Sequence, residues 1–150
     1  TDRAVYVKNV VFNREGSIRK ADVIVIPEPN RTRALENHRS ERECDASLAN
    51  RITTLLNIAA LQEIDTLIVG AFGCGRQGFP ANQVITQFKD WIDTHPGSIA
   101  NIVFAVPRVH FETFNEAFGI PEPQTTTEPE VKQEEELFDP SDLPEGVTLR

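Results

Sequence analysis

Apolar and polar positions change period several times along the chain, and each change marks an element. Ala4–Phe12 mixes alternation with β-branched and aromatic residues, which predicts a half-buried strand, and Asn13 to Gly16 supplies turn residues after it. Ala21–Ile26 is short, rich in Val and Ile and closed by Pro27, which predicts a strand buried on both faces, as in parallel sheets. Glu28 to Glu43 is polar, with Arg31, Arg33, Arg39 and Arg42, and reads as a loop or an exposed irregular helix with a solvated surface. From Asp45 the period becomes helical. Leu48, Ile52, Leu55, Leu56 and Ala59 fall on one stripe, with Asp45 or Ser47 able to cap its start.

Thr66–Val69 predicts the next buried strand, and the glycine-rich run Gly70–Gly78 follows it directly. Pro80 suits the first turn of a second helix, whose apolar face is Val84, Phe88, Trp91 and Ile92 and which His95 to Gly97 ends. Asn101–Val106 predicts a further strand stopped by Pro107, and a short helix over about Phe111–Phe118 closes the series. Strands alternating with helices predict right-handed crossovers and an α/β architecture with a parallel core.

Charge divides the same chain differently. The 150 residues carry a formal net charge of −8. Residues 119–150 hold nine acids and two bases, so −7 of that charge lies there, together with five of the ten prolines. Residues 1–118 thus form a nearly neutral domain, and the polar, proline-rich remainder reads as an acidic disordered tail. A near-neutral domain with an acidic appendage excludes general binding to duplex nucleic acid, which requires clustered cations. No apolar run reaches the roughly 20 residues that cross a bilayer, so no membrane partner is expected. Two cysteines, Cys44 and Cys74, are too few for a disulfide framework and lead us to expect a cytoplasmic setting. His38, His95 and His110 lack the spacing of a metal site with any cysteine pair, and neither a metal nor a cofactor is expected. The first residue is Thr1, not Met, which leads us to expect processing or a piece of a longer protein; an N-terminal threonine can also be a nucleophile, but nothing downstream supports that class.

Chemical information concentrates in the glycine run. It leaves the C-terminal end of a strand and enters a helix, the place where open α/β sheets bind ligands. Gly70, Gly73, Gly75 and Gly78 permit positive φ and close backbone approach, so that exposed N–H groups can hold a phosphate or diphosphate; the alternative is a tight turn without a ligand. Gly73–Gly78 satisfies GxGxxG, yet two strands precede it and no acid closes the next strand, against a dinucleotide fold. Gly70 to Gly75 imitates the start of a P-loop, but Arg76 and Gln77 replace its Lys and Ser/Thr. Cys74 is a nucleophile only if the loop lowers its pKa and a histidine approaches. Phe72 and Phe79 either wall the ligand or pack in the core, and Arg76 either meets a phosphate or is solvated. Glu134 to Pro140, an apolar pair among acids, is either a docking motif or inert.

The stretch Gly70-Ala71-Phe72-Gly73-Cys74-Gly75 resembles the second phosphate-binding loop of the bacterial-type poly(ADP-ribose) glycohydrolase-like macrodomains. The helix ending at Asn57 to Ala60, the strand into the loop, the helix after Pro80 and Ile102 to Val106 agree with that family. Val10 to Phe12 and the strand running to Asn30 match more loosely, and the likeness covers roughly residues 5–118. The resemblance implies a macrodomain-like α/β/α sandwich with a mixed, largely parallel sheet, of which this chain is the C-terminal portion. It implies ADP-ribose, free or on a protein, as ligand, bound by Gly70, Ala71, Phe72, Gly73, Cys74, Gly75, Arg76, Gln77, Gly78 and Phe79, with Phe111 or Phe114 stacked on the adenine unless their helix simply packs. Family members carry a glycine-rich first loop and a Gln-Glu-Glu stretch that supplies the catalytic acid. The nearest likeness here, Gln133 to Glu136, falls in the tail without glycines. The expectation is therefore an ADP-ribosyl glycohydrolase whose acid lies on an N-terminal segment or complementing polypeptide outside these residues. The alternative is a non-catalytic ADP-ribose or nucleotide-sensing module that signals through its tail. No residue here is assigned as catalytic.

Overall fold

A computed structural model describes residues 3–120. Thr1, Gln133 to Glu136 and the Glu134 to Pro140 motif lie outside the described residues, as does the tail beyond residue 120.

The chain opens with a hairpin of β1 (Val5–Arg14) and β2 (Ser17–Val25), paired antiparallel in a register that sets Arg14 opposite Ser17. Only Glu15 and Gly16 join the arms, both at positive φ (50° and 82°), as the two-residue turn that matches strand twist requires. Between Val7 and Val10 the register shifts, so that Lys8 and Asn9 together face Asp22. Asn9 takes up this bulge at φ 56°, a conformation Asn tolerates. Its amide donates to Asp22 Oδ1 at 2.9 Å, and the Tyr6 hydroxyl donates to the other carboxylate oxygen. Those two hydrogen bonds, the phenol's first, hold the Asp22 carboxyl below the usual range, while the same contact raises Tyr6.

The hairpin corrects one expectation. Ala21 to Val25 belong to an antiparallel arm, not to a parallel strand buried on both faces; Val23 and Ile24 are half-buried and Val25 is 56% exposed. The polar segment Glu28 to Glu43, expected as a loop or an exposed irregular helix, contains a short helix, α1 (Arg31–Glu36), capped by Asn30 Oδ1 on the Arg33 amide at 2.9 Å. It also contains the first turn of α2 (Glu41–Leu61). The cap of α2 is Ser40, a turn earlier than Asp45 or Ser47: its hydroxyl accepts from the Glu43 amide, and the Glu43 carboxylate accepts from the Ser40 amide at 2.8 Å.

Helix α2 buries Cys44, Leu48, Ile52, Leu55, Leu56 and Ala59 along one stripe. Strand β3 (Thr66–Val69) follows and pairs in parallel with β4 (Asn101–Phe104), Leu67 beside Ile102 and Val69 beside Phe104. Between them α3 (Ala81–Thr94) supplies Val84, Ile85, Phe88 and Trp91 to the core, with Pro80 as its cap and not inside its first turn. Helix α4 (Arg108–Phe118) begins one turn before the expected Phe111, and β4 stops at Phe104, two residues before the expected Val106. Phe88 meets Phe104 edge to face at 5.2 Å, and Phe104 stacks on Phe118 at 4.4 Å. The class is α/β, as expected. Its strand pairs form two separate two-stranded sheets, one antiparallel and one parallel. The inner face of the parallel pair, with Leu67 and Phe104, packs into the helical core, while Ile68 and Val103 on its outer face are 70% and 48% exposed.

Candidate functional site

The glycine loop begins where β3 makes its last bond to its neighbour, the Ala105 amide donating to the Val69 carbonyl at 2.8 Å. It then folds on itself. The Phe72 amide donates to Gly70 O at 2.9 Å, Cys74 to Ala71 O at 3.0 Å, Gly78 to Gly75 O at 3.0 Å, and Phe79 closes the loop onto Gly73 O at 3.1 Å. Three side chains pin it from below: Phe72, Cys74 and Phe79 are at most 9% exposed. Burial of both phenylalanine rings favours packing over a wall for a ligand.

The glycines divide by duty. Gly73 adopts φ 80°, and a Cβ there would meet Leu48 Cδ1 at 2.9 Å. Gly78 adopts φ 87°, and a Cβ there would lie 2.4 Å from Thr32 Oγ1 on α1. Both are required by the fold itself. Gly75 also needs a glycine-type backbone at φ 71°, yet no atom among the described residues lies within 4 Å of its Cβ position. It stands on an open crest with Arg76 and Gln77, which form one 3₁₀ turn. The amides of Gly75 and Arg76 donate to no carbonyl among the described residues, whereas the 3₁₀ turn engages the Gln77 amide, and Gln77 Oε1 is buried without a partner there. Consecutive free N–H groups at a turn make an anion-binding concavity. Arg76 is exposed beside them, and Gly70 and Ala71 form the step up from the strand.

Cys74 does not suit nucleophilic work. Burial, and after it the charge of Glu28, pushes its thiol up and disfavours thiolate. No histidine hydrogen-bonds it among the described residues. His95 lies against Trp91, rings 4.3 Å apart, and its Nδ1 lies 2.9 Å from the Trp91 carbonyl. On α4, Phe114 is 3% exposed and packs against Phe104 and Phe118, whereas Phe111 is 53% exposed and free to meet a planar group. Two of the four arginines of the 28–43 segment form ion pairs, Arg31 with Glu41 at 2.9 Å and Arg39 with Glu43 at 3.5 Å. Arg31 and Arg39, with Arg51 and Phe79, line a hollow of about 290 Å³ behind the loop. Thr32 is the residue that sequence reasoning missed. It braces Gly78 from 46 positions away, a contact with no local signal.

No family model and no curated protein matches the chain. Solved structures do. Poly(ADP-ribose) glycohydrolase (PARG) from Deinococcus radiodurans in complex with ADP-ribose superposes with a TM-score of 0.69 at 24% identity, over 78% of this chain and 52% of that one. A variant of the PARG of Thermomonospora curvata gives 0.68 at 27% identity, over 79% and 49%, and the same enzyme bound to the inhibitor ADP-HPD gives 0.66 at 26%, over 79% and 49%. The glycine-loop likeness and the fold thus point the same way: the chain is PARG-like, with a macrodomain-like α/β fold, and it spans about half the length of the solved chains it matches.

Proposed function

We propose that this chain binds ADP-ribose, free or attached to a protein, with its diphosphate on the crest Gly75–Gln77 and its adenine against Phe111. The crest carries the proposal: the two consecutive unpaired amides of Gly75 and Arg76, at a glycine whose positive φ no contact among the described residues requires. Gly70 to Cys74 hold that crest in place, and Arg76 adds an exposed cation. PARG structures of the same fold hold ADP-ribose or ADP-HPD, which makes this ligand the first to test.

The activity we assign is a share in ADP-ribosyl glycohydrolysis. Cleavage at the ribose C1″ needs a carboxylic acid to protonate the leaving oxygen. None of the loop residues carries a carboxyl, and Gln133 to Glu136 lacks the glycines that precede the family's acid, so our reading places the acid on a preceding or complementing polypeptide. Calorimetry with ADP-ribose on the chain alone tests the binding, with ADP and ribose 5-phosphate as partial ligands. Absence of binding by all three refutes the assignment of the crest. Intact-mass analysis of the native protein together with an ADP-ribose release assay separates a hydrolase from a binding module: release only in the presence of a second polypeptide supports the first, and binding without release in any natural assembly the second.

A further inference from the structure

Residues 1–118 hold 14 acids and 13 bases, yet three of those cations, Arg31, Arg39 and Arg51, meet at the hollow of about 290 Å³ behind the glycine loop. Arg31 enters it from the start of α1, Arg39 from the link before α2, and Arg51 from the body of α2. Arg51 is tethered there, its Nη1 donating to the Pro27 carbonyl at 2.8 Å. One carboxylate lines the same hollow, and it is already engaged: Glu43 Oε2 accepts from the Ser40 amide at 2.8 Å and Oε1 from Arg39 at 3.5 Å. Glu41, the partner of Arg31, does not line it, and its side chain is 72% exposed. A guanidinium carries five N–H donors and accepts nothing, so donors exceed acceptors around this space. Two neutral groups widen the excess. Asn30 Oδ1 is taken by the Arg33 amide, which leaves the Asn30 NH₂ group without an acceptor among the described residues, and the half-buried Ser47 hydroxyl has no partner among them either. Cys44 and Phe79, both buried, back the hollow with an apolar wall, against which charge-assisted hydrogen bonds strengthen.

A donor-rich space with an apolar back calls for an oxyanion, and size decides which. Ligand sites commonly measure about 300–1,000 Å³, so this hollow lies at the small end and suits a phosphoryl or diphosphate group, not a whole ADP-ribose. We propose that it is a second phosphoryl-binding site, in which Arg31, Arg39, Asn30 and Ser47 donate to the anion and Arg51 adds its charge from a fixed position. Exposed ion pairs are weak, so a doubly charged anion displaces Glu41 from Arg31 with little loss. The site is separate from the crest, since none of Gly75, Arg76 and Gln77 lines it. Its phosphoryl group has two sources: a free anion, or a second ADP-ribose unit of a polymer whose first unit occupies the crest. Only the second source rests on the proposed reading of the crest.

Pyrophosphate is the probe, titrated into the isotope-labelled full chain carrying Gly75→Glu, which blocks the crest. The backbone amides of Asn30, Arg31 and Ser47 shift together along one saturable curve in NMR spectra, and calorimetry returns the same Kd. Added to that background, Arg31→Gln weakens binding about tenfold by removing a charged donor. Ser47→Asp keeps every arginine, sets a carboxylate in the hollow and abolishes binding. Arg33→Gln removes a cation of α1 that does not line the hollow, and changes the Kd by less than about twofold because salt screens it. Circular dichroism stays unchanged in each variant. Equal losses from Arg31→Gln and Arg33→Gln overturn the proposal, as do undiminished binding by a folded Ser47→Asp chain, shifts confined to the glycine loop, or no saturable binding. In the unsubstituted chain, a two-unit ADP-ribose oligomer that shifts hollow and crest together and excludes pyrophosphate from the hollow assigns the phosphoryl group to the polymer. An oligomer that leaves the hollow open to pyrophosphate assigns it to a free anion. Pyrophosphate bound in the hollow of a chain that fails to bind ADP-ribose overturns the crest reading only.

Discussion

Substitutions at Gly75 separate what the loop needs for folding from what it offers a ligand. An alanine there must adopt φ 71°, which costs about 1–2 kcal/mol for a residue with a Cβ. Removing a glycine from the unfolded chain returns about 0.4–1 kcal/mol, and no steric contribution arises because nothing lies within 4 Å. Gly75→Ala therefore destabilises by about 1 kcal/mol, or roughly 3–4 °C in Tm for a domain of this size. Gly73→Ala carries the same backbone cost and also drives its Cβ to 2.9 Å from Leu48, a side chain with no exposed surface. Overpacking of that kind adds about 1–3 kcal/mol, so Gly73→Ala is the more damaging by thermal denaturation. Gly75→Glu has the strain of Gly75→Ala plus a negative charge beside the proposed diphosphate. At about 5 Å and an effective dielectric of about 20, one pair of like charges costs about 3 kcal/mol, roughly a hundredfold in Kd. Gly75→Lys introduces the same bulk with the opposite sign. Calorimetry with ADP-ribose should rank affinity Lys above Ala above Glu at position 75, all three variants folded. Equal affinities for the Glu and Lys variants would refute the crest as a phosphate site.

Three other outcomes follow from the same geometry. The Cys74 thiol, pushed up by burial and by Glu28, should resist iodoacetamide at neutral pH in the folded chain and react on unfolding; rapid native labelling would contradict that environment. Glu43 is held below the ordinary carboxylate range by the Ser40 amide first and the Ser40 hydroxyl second. A depressed folded pKa means its contribution is complete above the unfolded value and is lost as pH falls through the folded one, so acid should weaken the parent chain in that window and Glu43→Gln far less. Phe111→Ala, at a half-exposed position, should leave stability within about 0.5 kcal/mol while weakening ADP-ribose about tenfold; unchanged affinity removes Phe111 from the site.

Much of this architecture is legible without coordinates, and the failures share a cause. The stripe of α2 and the strand entering the loop follow from period and composition alone, because each reports on a face that its own residues bury. The start of α2 was also present in the sequence, as Ser40 with Glu43 three places on, but it precedes the apolar stripe by a turn and Asp45 offers a competing cap. Ala21 to Ile26 misled for a different reason. Val and Ile suit any pleated surface, and composition does not record which neighbour covers it. The pairing was encoded instead in Glu15 and Gly16, a two-residue turn that commits the next strand to run back along the first.

Within the candidate site the same distinction separates residues whose burial composition signals from those whose neighbours it does not record. GAFGCG looks like a single functional motif, yet its positions alternate between duties: Phe72, Gly73 and Cys74 face the core, and Gly75 faces open space. A loop free at both ends would have to be ordered by its ligand, at about 1–2 kcal/mol for each residue fixed. Here Phe72 and Phe79 sit in the core on either side of the crest, the Phe79 amide is tied to Gly73, and Thr32 closes behind Gly78, so the crest is ordered before anything binds. On the proposed reading, the apolar residues of the motif therefore act on affinity without touching the ligand, by fixing the backbone that meets it. This arrangement predicts that a core change beneath the loop, such as Leu48→Ala, weakens ADP-ribose through the position of Gly73, whereas loss of the Arg76 side chain, exposed and without an ion partner among the described residues, has the smaller effect. Calorimetry on the two variants at a temperature where both are fully folded decides it, and the reverse order would mean that charge, not preorganised backbone, dominates the site.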